Sequence, residues 1–218
     1  MAAERLALLG DVHANLAALR AVLADVARAD IARGALTGDV VMRGGEPEEC
    51  VAEVRGLGWP CVMGNTDRKV AGRPRRDPDH PKARRAGSRS WTTNRLSDDS
   101  LRFLSGLPLV VKVPLGTVTV ALMHGSPTDP NGTIDAGTSD RRLARLAREL
   151  GADCIVSGHT HEPLVREAAG VLVVNPGSVG EAVDGDLRPS WAWLEARRSG
   201  LRAHLERVIE PLARVRAA

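Results

Sequence analysis

Seven residues in five short segments are of types that hold divalent metal ions: Asp11 and His13 in GDVHAN, Asp39 in TGDV, Asn65 in GNTD, His124 in MHGS, and His159 and His161 in SGHTH. Carboxylate, amide and imidazole donors mixed in this way suit borderline divalent metals. Four of the six histidines fall in these segments. Asp11 and His13 stand two apart, so a tightly turning loop can aim both at one point. His159 and His161 flank Thr160, a spacing that lets each imidazole address a different ion of a pair. Asp39 can bridge two ions, because a carboxylate offers two oxygens and several lone pairs; Asn65 adds a neutral carbonyl oxygen. Two ions roughly 3.5–4 Å apart would convert a shared water to hydroxide near neutral pH and clamp a phosphoryl group for in-line attack. No protein nucleophile is then required.

Each segment alone has a plainer reading. A Gly-Asp pair after a strand is a common turn, an HxH pair occurs on surfaces and at one-metal sites, and Asn65 tolerates a left-handed turn. His124 before a glycine also fits a strand end. Five such segments in series make coincidence a poor account.

The elements that must position them alternate. Each candidate ligand follows a short apolar run, and in open α/β sheets ligands gather at the carboxyl ends of strands. Leu6–Leu9 reads as a strand leading through GDVHAN into a helix with Leu16, Leu19, Leu23 and Val26 on one face. Ala35–Thr37 repeats the strand, and Pro47–Leu57 the helix, with Pro47 suited to the first turn. Cys61–Met63 gives a third strand. The Gly-, Pro- and Arg-rich stretch 71–90 lacks periodicity, and much of it reads as an irregular loop. Trp91–Ser105 reads as helix in two pieces, with Ser97 capping the second. Val110–Val113 and Thr117–Met123 form a predicted hairpin around Leu115 and Gly116. Asp140–Leu150 is an amphipathic helix that Gly151 ends, and Cys154–Ser157 is a buried strand before GHTH. Leu164–Glu167, Val171–Asn175, Ser190–Glu195 and Leu201–Val208 read as mostly antiparallel strands closing a second sheet.

At 218 residues and 43% hydrophobic composition the chain fits a single domain with a sizeable core. Phe103 is its one phenylalanine and it has no tyrosine, which argues against a stacking platform for single-stranded nucleic acid. The net charge of +3 is uneven: Arg68 to Arg89 holds nine Lys/Arg against two Asp, while the rest holds 21 against 25 acidic residues. The basic insert at about 71–90 therefore carries the excess, as an anion-attracting or merely solvated loop. Cys50, Cys61 and Cys154 make no CxxC pair and read as reduced thiols. The first strand starts close to Met1, leaving no room for a signal peptide, and no apolar run reaches about 18 residues. A cytoplasmic protein with no membrane partner is expected; oligomeric state has no signature in the sequence.

In order and separation, the motifs resemble those of the calcineurin-like metallophosphoesterases, in particular the small YfcE-type phosphodiesterases. The stretches WTTNRLSDDSLRFLSGLP, MHGSPTDP and VNPGSVG extend the resemblance over nearly the whole chain. It implies an α/β fold, a four-layer αββα sandwich of two mixed β-sheets flanked by helices, with a dinuclear site at one edge. One ion would take Asp11, His13, Asp39 and His161, the other Asp39, Asn65, His124 and His159. Manganese is the family's usual assay metal, and iron, zinc, nickel or magnesium also suit such donors. The implied activity is hydrolysis of a small phosphate ester, most simply a phosphodiester, by a metal-bridging hydroxide, with Asp39, Asn65, Thr66 and His124 as the catalytic set.

Several positions depart from the family pattern. GNTD replaces GNHD, so Thr66 stands where a histidine would contact the scissile phosphate and protonate the leaving oxygen. A threonine hydroxyl can hydrogen-bond a phosphate oxygen but is a poor acid, and losing a positioned acid removes roughly 10²–10⁴-fold in rate. Asp67, which would orient that histidine, has no partner to orient. Ala14 replaces a glycine, and GDVVMRG carries Met42 where a related branch has aspartate, leaving Arg43 as either a phosphate contact or a surface residue. Asn175 and Ser178 are expected to build a tight turn beneath the site. Two other functions compete: a binding scaffold that keeps the fold, as the retromer subunit of this superfamily does, and a nuclease whose basic loop tracks a phosphate backbone.

Overall fold

The computed structural model describes residues 4–198 and 200–208. In chain order the elements are β1 (Glu4–Leu9), α1 (Leu16–Arg28), β2 (Gly34–Leu36), α2 (Pro47–Leu57), α3 (Asn65–Ala71), α4 (Pro81–Arg84), α5 (Arg89–Arg95), α6 (Asp98–Ser105), β3 (Val110–Leu115), β4 (Val118–Met123), α7 (Asp140–Leu150), β5 (Cys154–Val156), β6 (Leu164–Ala168), β7 (Val171–Asn175), β8 (Ser190–Arg197) and β9 (Gly200–Arg207). Local chemistry sets the helix ends. Pro47 opens α2 and left-handed Gly58 ends it; the Ser97 hydroxyl accepts from Ser100 N at the start of α6; Ser139 and Gly151 do the same work at the two ends of α7.

Strands β2-β1-β8-β9 form one sheet and β3-β4-β5-β7-β6 the other. β1 pairs with β2 in parallel and with β8 antiparallel. β4–β5 and β5–β7 are parallel, and β3–β4 and β6–β7 antiparallel, so both sheets are mixed. Period-2 alternation then builds the layers. Leu6, Leu8 and Leu194 of the first sheet meet Val120, Leu122, Val156 and Val174 of the second in a dry inner core. The opposite face of the first sheet, with Ala7, Leu9 and Trp191, packs on Leu19 and Val22 of α1 and Val51 and Val54 of α2. Ala121, Met123, Ile155 and Val173 turn outward onto Leu143 and Ala147 of α7. Helix, sheet, sheet, helix is the architecture that the family resemblance implies.

Three expectations need correction. The four C-terminal strands do not close one sheet: β6 and β7 complete the sheet that starts at β3, while β8 and β9 extend the sheet of β1. Cys61–Met63 makes a single parallel bridge, Leu36 to Cys61, instead of a strand. The hairpin turns at Gly116 and Thr117, because β3 runs on through Pro114 and Leu115. Among the described residues no helix is long and apolar enough to cross a membrane. All three cysteines are free and buried, and burial pushes their thiols well up.

Candidate metal centre

The loops after β1, β2, β4 and β5, together with the first turn of α3, bring the seven candidate residues to one place. Six of them are buried and His159 is half-buried. Ring nitrogens Nε2 of His13 and His161 lie 3.0 Å apart, and Asp11 Oδ1 is 3.2 Å from His161 Nε2. In a second cluster, Asn65 Oδ1 is 2.9 Å from His124 Nε2 and 3.0 Å from His159 Nδ1, with Asp39 Oδ1 3.4 Å from His124 Nε2. Asp39 joins the two, since its Oδ2 is 3.7 Å from His13 Nε2. Asp11 belongs to both as well, because its carboxylate reaches the His13–His161 pair and the Asp39–His124 pair.

These separations suit a cation. Donor atoms about 2.1 Å from one ion stand roughly 3.0–3.4 Å apart at octahedral or tetrahedral angles, as they do here. His124 Nδ1–H donates to the Thr37 carbonyl at 2.8 Å and His161 Nδ1–H to the Glu181 carbonyl at 2.8 Å, which leaves both Nε2 lone pairs facing inward. Asp11 Oδ1 is buried and accepts no hydrogen bond. Asn65 Oδ1 faces only other acceptors; turned over, its NH₂ would donate to His124, Asp39 and His159 while its oxygen accepted from Lys69 Nζ at 3.0 Å. With Oδ1 toward the imidazoles, the amide oxygen is turned where a cation would sit. Burial opposes charge throughout, yet His124 beside Asp39 holds that carboxyl well below its usual range. Asp39 in return lifts His124, against its burial, to about 9. A divalent ion held by His124 and Asp39 would take the place of the proton that the pair otherwise shares.

The backbone is bent to present these groups. Asp11, His13, Asp39, His159 and His161 all have φ between 50° and 71°, the left-handed region. Holding a non-glycine residue there costs of order 1–3 kcal/mol and persists only where surroundings over-determine it. At Asp39 the restraint is Asp67. Its buried carboxylate accepts from the backbone N–H groups of Asp39 (2.8 Å), Val40 (2.9 Å), Val41 (3.2 Å) and Gly64 (3.0 Å). Burial and the Asp39 charge push the Asp67 carboxyl up, and the donors work against that shift. Gly64 is required where these loops touch, since a Cβ there would lie 2.1 Å from Asp39 N. Ser178 Oγ donates to the Asp11 carbonyl at 2.8 Å, and Asn175 Nδ2 donates to Gly158 O and Thr160 Oγ1, each at 3.0 Å. Both side chains therefore hold ligand loops, as the turn reading of VNPGSVG anticipated.

Thr66 is placed differently from the expectation of a phosphate contact. Its side chain is 2% exposed and its hydroxyl donates to the Val41 carbonyl at 2.8 Å, while its N–H donates to Asp39 Oδ1 at 2.8 Å. The hydroxyl is committed to the backbone. Thr66→Val should lower the unfolding free energy by about 1–2 kcal/mol in urea titrations, because a buried carbonyl loses its donor. Metal content should stay at the parent level. Unchanged stability with lost turnover would return the hydroxyl to the substrate side.

Two neighbours escaped the motif reading. Glu181 Oε2 lies 3.5 Å from His161 Nδ1 and 3.8 Å from His13 Nε2, and it pairs with Arg43, whose guanidinium is thereby tied to the site's rim. Nothing in its sequence context marks it, beyond its place directly after VNPGSVG. Lys69 follows Asn65 by one helical turn on α3, a spacing that could have flagged it.

Residues 5–199 match the calcineurin-like phosphoesterase superfamily domain. The uncharacterized protein MJ0912 of Methanocaldococcus jannaschii is 29% identical over 208 residues, which span 88% of this chain and 82% of its own. A crystal structure of a metallophosphoesterase from Sphaerobacter thermophilus is 34% identical and superimposes with a TM-score of 0.75 over 94% of this chain and 88% of that one. The Escherichia coli phosphoesterase YfcE, 19% identical with a TM-score of 0.53 over 94% of this chain and 99% of its own, shares the fold. The order of the donor segments, the paired mixed sheets and the match over most of the chain agree: this chain belongs to the calcineurin-like phosphoesterase superfamily.

Proposed function

We propose that this protein is a two-metal phosphodiesterase that acts on small esters with good leaving groups. The observation that carries the reading is the meeting of seven oxygen and nitrogen donors in two clusters that share Asp39 and Asp11. Asp11, His13, Asp39 and His161 would hold one ion and Asp39, Asn65, His124 and His159 the other. The oxygen and nitrogen set fits manganese, iron, zinc, nickel or magnesium. Bound ions would acidify a water and polarise the phosphoryl oxygens. Asp39 turns one oxygen to each cluster, and the Thr37 and Glu181 carbonyls fix the His124 and His161 rings that accompany it. A scaffold role would be supported by loss of donors, and all seven are present.

No imidazole occupies position 66, so expulsion of the leaving group rests on its own stability. Metal analysis of the purified protein, combined with a panel of aryl and alkyl phosphodiesters and monoesters, tests both halves of the proposal. Bound divalent metal and an aryl-over-alkyl preference beyond about 10²-fold are expected, the amount a positioned acid supplies. Thr66→His should narrow that preference. Equal gains on aryl and alkyl esters in that variant would sink the leaving-group argument, and protein that takes up no divalent ion would sink the whole reading.

A further inference from the structure

The C-terminal end of the basic run from Arg68 to Arg89 is tied to the loop after β2, while residues 72–79 stay exposed. Arg43 N–H donates to the Gly87 carbonyl at 2.9 Å, and Gly87, at φ +69°, lies so close that a Cβ would come within 2.2 Å of Arg43 O. Ser88 Oγ donates to Lys82 O at 2.7 Å, Arg75 donates to Leu96 O at 2.8 Å, and Arg76 exchanges hydrogen bonds with the Asn94 amide. This packing sets Lys82, Arg85, Ser88 and Arg89 opposite Lys69 around a cavity of about 290 Å³.

The charge in that cavity is not neutralised. Arg75 and Arg84 in the same run pair with Asp98 and Asp79, each at 2.7 Å. Among the described residues, no acidic group comes within 4 Å of Lys69, Lys82, Arg85 or Arg89. Lys69, Lys82 and Arg85 are exposed and Arg89 is half-buried, and like charges lining one open hollow repel each other less once an anion joins them. Lys69 ties the hollow to the metal centre, because its Nζ is 3.0 Å from the Asn65 amide. With Asn65 Oδ1 turned to the donor cluster, the amide NH₂ faces the ammonium, donor against donor. An anion in the cavity gives that ammonium an acceptor.

We infer that this cavity is a second phosphate subsite, taking a phosphate group other than the one under attack, carried on the same substrate or supplied as free phosphate. The inference rests on the metal-centre reading for its substrate arm alone. The guanidinium groups of Arg85 and Arg89 suit the planar, bidentate recognition of phosphate oxygens. A volume of about 290 Å³ is just below that of sites for drug-sized ligands, roughly 300–1,000 Å³. It accommodates a phosphate with a small appendage.

Two measurements on the whole protein test it. Calorimetric titration with inorganic phosphate, with and without added manganese, should show binding in the parent that Arg85→Gln/Arg89→Gln weakens about tenfold or more, the usual effect of losing charge-assisted hydrogen bonds. Arg85→Lys/Arg89→Lys keeps the charge and should recover part of it. In kinetics, thymidine 5′-(4-nitrophenyl phosphate) bearing a 3′-phosphate should show a KM about tenfold below that of the compound without it, and the Gln variant should bring the ratio to about one. Phosphate binding that the Gln variant abolishes, with no KM advantage in the parent, would assign the cavity to free phosphate. Absence of turnover on both compounds would fail the catalytic reading and leave the titration to decide the cavity. Phosphate binding that is equal in parent and Gln variant, or absent while an oligonucleotide binds with steep salt dependence, would overturn the proposal.

Discussion

Asp39→Ala is expected to empty the protein of divalent metal and to lower turnover of an aryl phosphodiester by about 10³-fold or more. The size follows from position. Asp39 Oδ2 addresses His13 at 3.7 Å and Oδ1 addresses His124 at 3.4 Å, so one substitution damages both donor clusters. Metal activation supplies several kcal/mol of transition-state stabilisation, and each 1.36 kcal/mol is tenfold in rate. The variant also orphans Thr66 N–H, which donates to Asp39 Oδ1 at 2.8 Å, at a stability loss of about 1–3 kcal/mol. Asp39→Asn separates the two effects. It keeps an acceptor for Thr66 and the shape of the site, and removes the charge, so it should fold like the parent and still lose metal. Elemental analysis after dialysis, read beside turnover and a urea curve, gives the answer. Metal and turnover retained by Asp39→Asn would mean that the carboxylate is not shared between ions.

How much of this was readable from the sequence depends on the range of each interaction. Pro47 at the start of α2 and Gly151 at the end of α7 are legible, because each acts on its immediate neighbours. Strand membership is not. The runs Val171–Asn175 and Ser190–Arg197 look alike as apolar strands, and only pairing with β5 or with β1 sends them to different sheets. Six of the seven candidate donors are legible because each follows a strand end, where the fold gathers ligands, and Asn65 follows the lone bridge at Cys61. The left-handed backbone of five of them is not, since Asp and His carry no conformational signature of the kind glycine does. Thr66 shows the same limit at the level of one side chain: its type says what it can bond, and the nearby Val41 carbonyl, 25 residues away in sequence, decides what it does bond.

Asp67→Ala should be the most destabilising substitution near the site, lowering the unfolding free energy by about 4–6 kcal/mol. The usual reading of this aspartate, as the partner of a catalytic histidine, predicts almost no loss here, because that histidine is Thr66. The structure gives it another task. Its carboxylate satisfies four backbone N–H groups on two loops, and a buried unpaired donor costs about 1–3 kcal/mol. Water entering the vacated volume would recover part of the loss, which is why the expected figure lies at the lower end of the sum of four. Against a typical total of about 5–15 kcal/mol, the fold becomes marginal. Asp67→Asn keeps one acceptor oxygen but turns an NH₂ toward donors, so a loss of about 2–4 kcal/mol is expected by the same accounting. Asp39 should also lose its restraint, because its N–H is the one held at 2.8 Å and its left-handed φ of 54° has to be enforced. Metal affinity should therefore fall along with stability, and amide exchange at Val40 and Val41 should accelerate before global unfolding. Asp39→Asn, by contrast, should lose metal with the fold intact. If Asp67→Ala shifts the urea-derived free energy by less than about 1 kcal/mol, the clamp is not what holds the Asp39 loop in its strained conformation.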